Sequence, residues 1–124
     1  MHSEDLGERT FRFACDVVRY CRELSKEAGV VRNIAWQLSD AGTSSAANYQ
    51  EAKAAYSRRE FAAKNGIVLK ELRESKLWLR VIVACELGPL AEPRRLLAES
   101  DELVAMFTSG MKRLHPVGSN QPRP

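Results

Sequence analysis

The chain has 124 residues, of which 44% are hydrophobic, and a formal net charge of +3; this composition suits one folded domain and excludes wholesale disorder. No apolar run approaches the ~18 residues of a membrane-spanning helix, and the acidic start MHSEDLGERT is unlike a signal peptide, so we expect a cytoplasmic protein without a membrane partner. The charge is uneven: residues 1–56 carry seven Lys and Arg against eight Asp and Glu, whereas residues 57–124 carry twelve against eight.

The first predicted helix covers about residues 8–28. Its apolar residues recur at helical spacing and predict one buried stripe, formed by Phe11, Cys15, Val18, Cys21 and Leu24. Gly29 follows this stripe, and glycine readily adopts the left-handed conformation that ends a helix. We therefore expect the helix to stop there.

The second predicted helix covers about residues 31–55 and contains an unusual segment at 37–52, where very small side chains replace large ones. Propensity alone would favour a loop at Gly42 and Ser44. The helical period nevertheless continues through the segment, along the stripe Val31, Ile34, Ala35, Leu38, Ala41, Gly42, Ser45, Tyr49, Ala52 and Tyr56. The pattern therefore predicts one long helix with a thin waist that another helix can approach closely.

The second half of the chain predicts two further helices. Ser57 and Glu60 have the spacing of a capping box, so a third helix should begin near residue 58 and continue to about residue 86, before Gly88 and Pro89. A fourth helix should begin near Pro93, a residue suited to a first helical turn, and end near residue 114. Four amphipathic helices with short connections predict an all-α, antiparallel up-down-up-down four-helix bundle over residues 1–114. Residues 115–124 should be a disordered tail.

Neither a metal site nor a catalytic site is predicted. Cys15, Cys21 and Cys85 lack CxxC spacing and are expected to be buried thiols in a reducing compartment. Neither His2 nor His115 follows a glutamate by three residues, as the ligands of di-iron bundles do. No histidine lies in the helical body to activate a serine, and the glycines do not form a phosphate-binding loop. We predict a non-enzyme that has no cofactor.

Three polar residues are candidates for a structural role. Asn48, Glu51 and Glu74 are predicted to form a hydrogen-bonded network that fixes the register of the helices, because buried polar groups need partners. Two aromatic residues, Tyr49 and Trp78, fit equally well in the core or at an interface between subunits.

The third helix carries a row of basic residues. The row consists of Arg58, Arg59, Lys70, Arg73, Lys76 and Arg80. It could contact phosphates with an affinity that depends on salt, or it could be a solvated face paired with Glu71 and Glu74. Most aromatic residues lie on the buried stripes, so any nucleic-acid binding should follow the backbone with little sequence specificity.

The segment at 37–52 resembles the signature of the 23S rRNA-intervening sequence proteins, also called four helix bundle proteins. That pattern is close to Q-L-x-R-S-G-T-S-I-G-A-N-x-x-E-A, and this chain departs from it at Asp40, where arginine is usual, and at Ser45, where a branched apolar residue is usual. Further matches, over about residues 5–114, are Arg9-Thr10, Phe13-Ala14, Ser57, Glu60-Phe61, Lys70-Glu71, Glu74 and Trp78-Leu79.

The resemblance implies a homopentamer of four-helix bundles. A related branch of the family serves diversity-generating retroelements as an accessory protein that binds reverse transcriptase and nucleic acid. From the resemblance and the uneven charge we predict a homopentamer that binds RNA or DNA through a basic surface. The alternative is an adaptor or scaffold whose partner is another protein.

Overall fold

The computed structural model of the chain describes residues 4–114, which form four α-helices and, within that range, no strand. These are α1 (Glu4–Leu24), α2 (Val30–Lys53), α3 (Arg58–Ala84) and α4 (Ala91–Leu114). Each helix packs against the next in the chain, and α4 returns to α1, as in an up-down-up-down bundle. The predicted fold class is confirmed, while the predicted tail at 115–124 lies outside the described residues.

The core is one apolar cluster to which every helix contributes. Its largest fully buried apolar side chains are Phe13, Val17, Leu38, Val68, Leu72, Leu79, Ile82, Leu96 and Leu103. Hydroxyl groups of Thr10, Ser45, Ser75 and Ser100 are also buried, and each donates a hydrogen bond to a backbone carbonyl of its own helix. None of these four helices combines the length and apolarity that crossing a membrane requires.

The waist of α2 is helical, as predicted, and α1 packs closely against it. Gly42 and Ser45 are both buried, and the helix continues through them without a break. A Cβ atom added at Gly42 would lie 3.0 to 3.3 Å from side-chain atoms of Val17. The small side chains therefore permit a close contact between α1 and α2 that a larger residue would obstruct.

Replacing either of two mid-helix glycines by alanine should change the free energy of unfolding by different amounts. Gly66→Ala should raise the free energy of unfolding by up to about 1 kcal/mol, because alanine is the better helix former and nothing lies within 4 Å of the added methyl group. Gly42→Ala gains the same propensity but presses on Val17, so it should be less stable than Gly66→Ala by about 1–2 kcal/mol. Urea denaturation measures both; equal stabilities would contradict the close contact.

The predicted stripe of α1 is partly wrong. Phe11 and Val18 are 55% and 42% exposed, whereas Phe13 and Val17 are buried. Helix α1 carries apolar residues on two sides, and its packing against both α2 and α4 selects the side that contains Phe13. The helix also ends at Leu24, so Gly29, with φ of 73°, instead precedes α2 as its N-cap.

The ends of α2 and α3 confirm one local signal and correct two others. The hydroxyl of Ser57 accepts a hydrogen bond from the backbone N–H of Glu60 at 3.0 Å, which confirms the predicted helix start. Tyr56 is fully solvent-exposed, because α2 ends at Lys53 and the predicted stripe does not reach it. Cys85 is exposed rather than buried, because α3 ends at Ala84 and leaves it as the C-cap.

Candidate functional site

The outer side of α3 carries four exposed basic residues, which we call the α3 basic face: Arg59, Lys70, Arg73 and Arg80. At 100° per residue they lie within about a quarter of the helix circumference, and at 1.5 Å per residue they extend along about 32 Å. Among the described side chains, those of residues 6–114, none of them takes part in an ion pair. These charges are therefore free to meet an external anion.

The structure divides the predicted basic row into three parts. Lys76 is half-buried, and its Nζ lies 2.8 Å from Asp101 of α4. Arg58 lines a cavity at the end of the bundle. Both residues lie on the side of α3 that α4 covers, so they are separated from the α3 basic face. The sequence showed the spacing of the row but not the position of α4.

Acidic residues lie beside the α3 basic face without neutralising it. Burial raises the pKa of Glu71, and the nearby carboxylates of Glu74 and Asp40 raise it further, while Lys70 opposes the shift. Asp40 thus adds negative charge at the junction of α2 and α3, where the family pattern has arginine. The alternative in which Glu71 and Glu74 form ion pairs with the basic row is not what the structure shows.

The predicted polar network is replaced by separate local pairings. Asn48 donates from Nδ2 to the carbonyl of Ser44, 2.9 Å away on its own helix. The carboxylate of Glu51 accepts from Lys64 Nζ at 2.6 Å. The three predicted members do not bond to one another, because Asn48 finds its partner one turn earlier and Glu51 points toward solvent.

The structure shows the surroundings of Tyr49 and Trp78, which the sequence could assign either to the core or to a subunit interface. Tyr49 is only 7% exposed and packs edge-on against Phe107 at 5.3 Å between ring centroids, so it belongs to the core of one chain rather than to a subunit interface. Trp78 packs partly buried against the core, and its Nε1 donates to Glu74 at 3.2 Å.

An arginine to which the sequence assigned no role joins α1 to α4. Arg9 is buried, and its guanidinium donates from Nε and Nη2 to the two carboxylate oxygens of Glu99, at 3.0 and 2.6 Å. Nη2 also donates to Glu102 at 2.9 Å. Hydrogen bonding to Glu99 raises the pKa of Arg9, although burial opposes the shift. Ninety residues separate the partners, so no local pattern could have revealed the pair.

The outer junction of α1 and α2 exposes large apolar side chains, which we call the α1–α2 apolar face: Phe11, Val18 and Trp36. A shallow depression of about 400 Å³ lies between Phe11, Val18 and Thr43, and a second one includes Trp36. Trp36 is 68% exposed. Clustered exposed apolar residues of this size commonly mark an interaction surface.

The described residues include no metal-binding cluster, and their buried thiol is unreactive. Within residues 6–114, no three His, Cys, Asp or Glu side chains come together as a metal-binding group, and both histidines lie outside that range. The three cysteines are free thiols, of which only Cys21 is fully buried. Burial raises the pKa of Cys21 to about 12, which keeps this thiol protonated and unreactive.

Comparisons with known proteins identify the family and support the fold. The family model described as 23S rRNA-intervening sequence protein matches residues 5–109. The chain is also similar to a crystal structure of a protein of unknown function from the S23 ribosomal protein family of Bacteroides thetaiotaomicron, with a TM-score of 0.78 and 28% identity, over 86% of this chain and 98% of that one. No curated protein matches the sequence.

Proposed function

The chain belongs to the 23S rRNA-intervening sequence protein family, and we propose that it is a non-enzymatic, homo-oligomeric bundle that binds the phosphate backbone of RNA or DNA through the α3 basic face. The observation that carries the proposal is a row of four basic side chains without an ion-pair partner among the side chains of residues 6–114. A cytoplasmic location fits the three free thiols.

Because these four basic side chains have no carboxylate partner among the described side chains, a role in phosphate binding is favoured over that of a solvated surface. A basic side chain that is already paired must lose its own carboxylate before it can contact a phosphate, as Lys76 and Lys64 would. Arg59, Lys70, Arg73 and Arg80 have no such cost. Their length along α3 spans several phosphates, and their contacts would release counterions whatever the base sequence.

Salt dependence tests this function directly. Four phosphate contacts predict a slope of about −3.6 in log affinity against log salt for a duplex, which is a loss of roughly a hundredfold between 50 and 200 mM salt. Fluorescence anisotropy with labelled duplex and single-stranded RNA and DNA measures it. No binding at 50 mM salt, or binding that salt leaves unchanged, would rule the function out.

We further propose that the chain self-associates through the α1–α2 apolar face, with the five copies that the family resemblance implies. Phe11 and Trp36 are large apolar side chains left in water, and a second copy could bury them. Five copies of the α3 basic face would bind a polyanion multivalently, which strengthens a weak single contact.

Light scattering tests the assembly. The purified chain should have about five times its 13.9 kDa mass, and Phe11→Glu should reduce it to a monomer, because a charge cannot be buried unpaired in an apolar contact. Tyr56→Glu is the control, since Tyr56 is a still more exposed aromatic residue, at 99%, that lies outside the α1–α2 apolar face, between α2 and α3. A monomeric wild-type chain, or an assembly that Phe11→Glu leaves intact, would contradict the proposal.

The alternative function, a protein-interaction adaptor, has one observation in its favour. Ile67 and Leu77 are exposed on the same side of α3 as the basic residues, and a protein partner would bury them where a phosphate backbone would not. Leu77→Ser separates the two functions: it should release a protein adaptor partner captured from nuclease-treated native extract, whereas salt-dependent binding to nucleic acid should not change.

A further inference from the structure

One end of the bundle contains a cavity of about 260 Å³, where α1 and α3 begin and α2 and α4 end. Its walls are mostly apolar and include Leu6, Phe61, Met106, Phe107 and Met111. Aromatic and methionine side chains provide flat or adaptable surfaces that suit a planar ligand.

A buried polar group without a partner lines this cavity. Asn65 is 5% exposed, and its Oδ1 accepts no hydrogen bond in the described structure. Leaving such an atom unsatisfied destabilises the folded protein. The buried hydroxyls of Thr10, Ser45, Ser75 and Ser100, by contrast, bond to their own helix backbone. The Tyr20 hydroxyl, at the opposite end of the bundle, is the other buried polar atom without a partner among the described side chains. Asn65 therefore has an unmet requirement for a donor. A ligand that reaches Oδ1 from the cavity would supply it.

Two arginines, Arg58 and Arg113, line the same cavity, and no acidic side chain among residues 6–114 does. Neither forms an ion pair with another described residue. Arg58 precedes Asn65 by seven residues on the same side of α3, which places it two turns, or about 10 Å, nearer the end of the bundle. The cavity thus combines an amide deep inside, apolar walls and cationic groups toward its rim.

The cavity at the opposite end of the bundle has the reverse electrostatic character. It measures about 390 Å³ and is lined by Glu23 and Glu27, with no arginine or lysine among its lining residues. Of these two cavities, only the one that contains Asn65 has basic side chains in its lining to contact an anion.

From this arrangement we propose that the cavity holds one unstacked nucleobase, with the Asn65 amide on the base edge and Arg58 and Arg113 on its phosphate. An asparagine amide pairs in a bidentate way with adenine, accepting from N6 and donating to N7, and arginines bind phosphate oxygens through parallel hydrogen bonds. Proteins that recognise single-stranded RNA take up splayed bases between aromatic and apolar side chains in this manner. The inference rests on the proposed nucleic-acid binding, and the base can come from a free nucleotide or from a single strand.

Calorimetric titration with AMP, using adenosine and octanoate as comparison ligands, tests the cavity. AMP should bind saturably, and Asn65→Leu should weaken it at least tenfold while raising the melting temperature of the unliganded protein, because the unsatisfied amide is removed. Arg58→Ala/Arg113→Ala should reduce the affinity for AMP to that for adenosine. Absence of AMP binding, AMP binding that Asn65→Leu leaves unchanged, or binding of octanoate in preference to AMP would overturn the proposal.

Two further measurements distinguish the source of the base and separate this site from the α3 basic face. If the base comes from a strand, oligo-adenylate should bind more tightly than the same strand with abasic sites, and equal affinities would leave the free nucleotide as the ligand. Asn65→Leu should not alter duplex binding. Duplex binding without AMP binding would overturn the cavity proposal alone, whereas AMP binding without duplex binding would support the cavity and overturn only the function of the α3 basic face.

Discussion

The double variant Arg73→Ala/Arg80→Ala is expected to reduce the loss of nucleic-acid affinity between 50 and 200 mM salt from roughly a hundredfold to about tenfold. Each removed phosphate contact lowers the salt slope by about one, and the variant retains two of the four charges on the α3 basic face. Its affinity at 50 mM salt should fall accordingly for every sequence tested, because phosphate contacts carry no sequence information. Anisotropy titrations at four or more salt concentrations give the slope.

The matched control removes two positive charges that are already paired. Lys26 lies 2.8 Å from Glu23, and Arg95 lies 2.6 Å from Glu92, so Lys26→Ala/Arg95→Ala changes the net charge equally without removing a free cation. We expect its salt slope to match that of the wild type. If both double variants weaken binding to the same extent, binding depends on net charge alone and the α3 basic face is not the site.

Arg9→Ala is expected to lower the free energy of unfolding by about 3 kcal/mol. The substitution leaves Glu99 beside α1 without its bidentate partner, and removing one member of a buried ion pair typically costs 3–5 kcal/mol; the partial exposure of Glu99, 28% of its side chain, places the effect toward the lower end. Arg9→Lys should cost less, since it keeps the charge but loses the two parallel hydrogen bonds. Urea denaturation at fixed protein concentration measures these differences.

An exposed arginine on the same helix provides the comparison for Arg9. Arg12 is 60% exposed at its side chain and lies 3.5 Å from Glu8, and an exposed pair of this kind contributes at most about 0.5 kcal/mol. Arg12→Ala should therefore leave stability almost unchanged. A loss at Arg9 no larger than that at Arg12 would show that the α1–α4 ion pair does not stabilise the bundle.

The sequence by itself determined the features that are encoded within one or two helical turns. Periodicity predicted the four helices and carried α2 through the Gly42 waist against its loop-like composition. The Ser57–Glu60 spacing located the start of α3. These predictions held because a helix and its caps are stabilised by residues three or four positions apart, and that information is contained in a short stretch of chain.

Only the tertiary structure decided which side of each helix faces inward and which distant residues meet. Both Phe11 and Phe13 fit an apolar stripe of α1, and the positions of α2 and α4 bury the second and expose the first. The contact of Arg9 with Glu99 and the separation of Lys76 and Arg58 from the α3 basic face depend on α4, which lies far along the chain. Asn65 fitted the predicted stripe of α3, but its missing partner became visible only when the surrounding helix ends formed a cavity. The physical reason is that packing depends on surfaces that several helices build together, whereas sequence patterns describe one helix at a time.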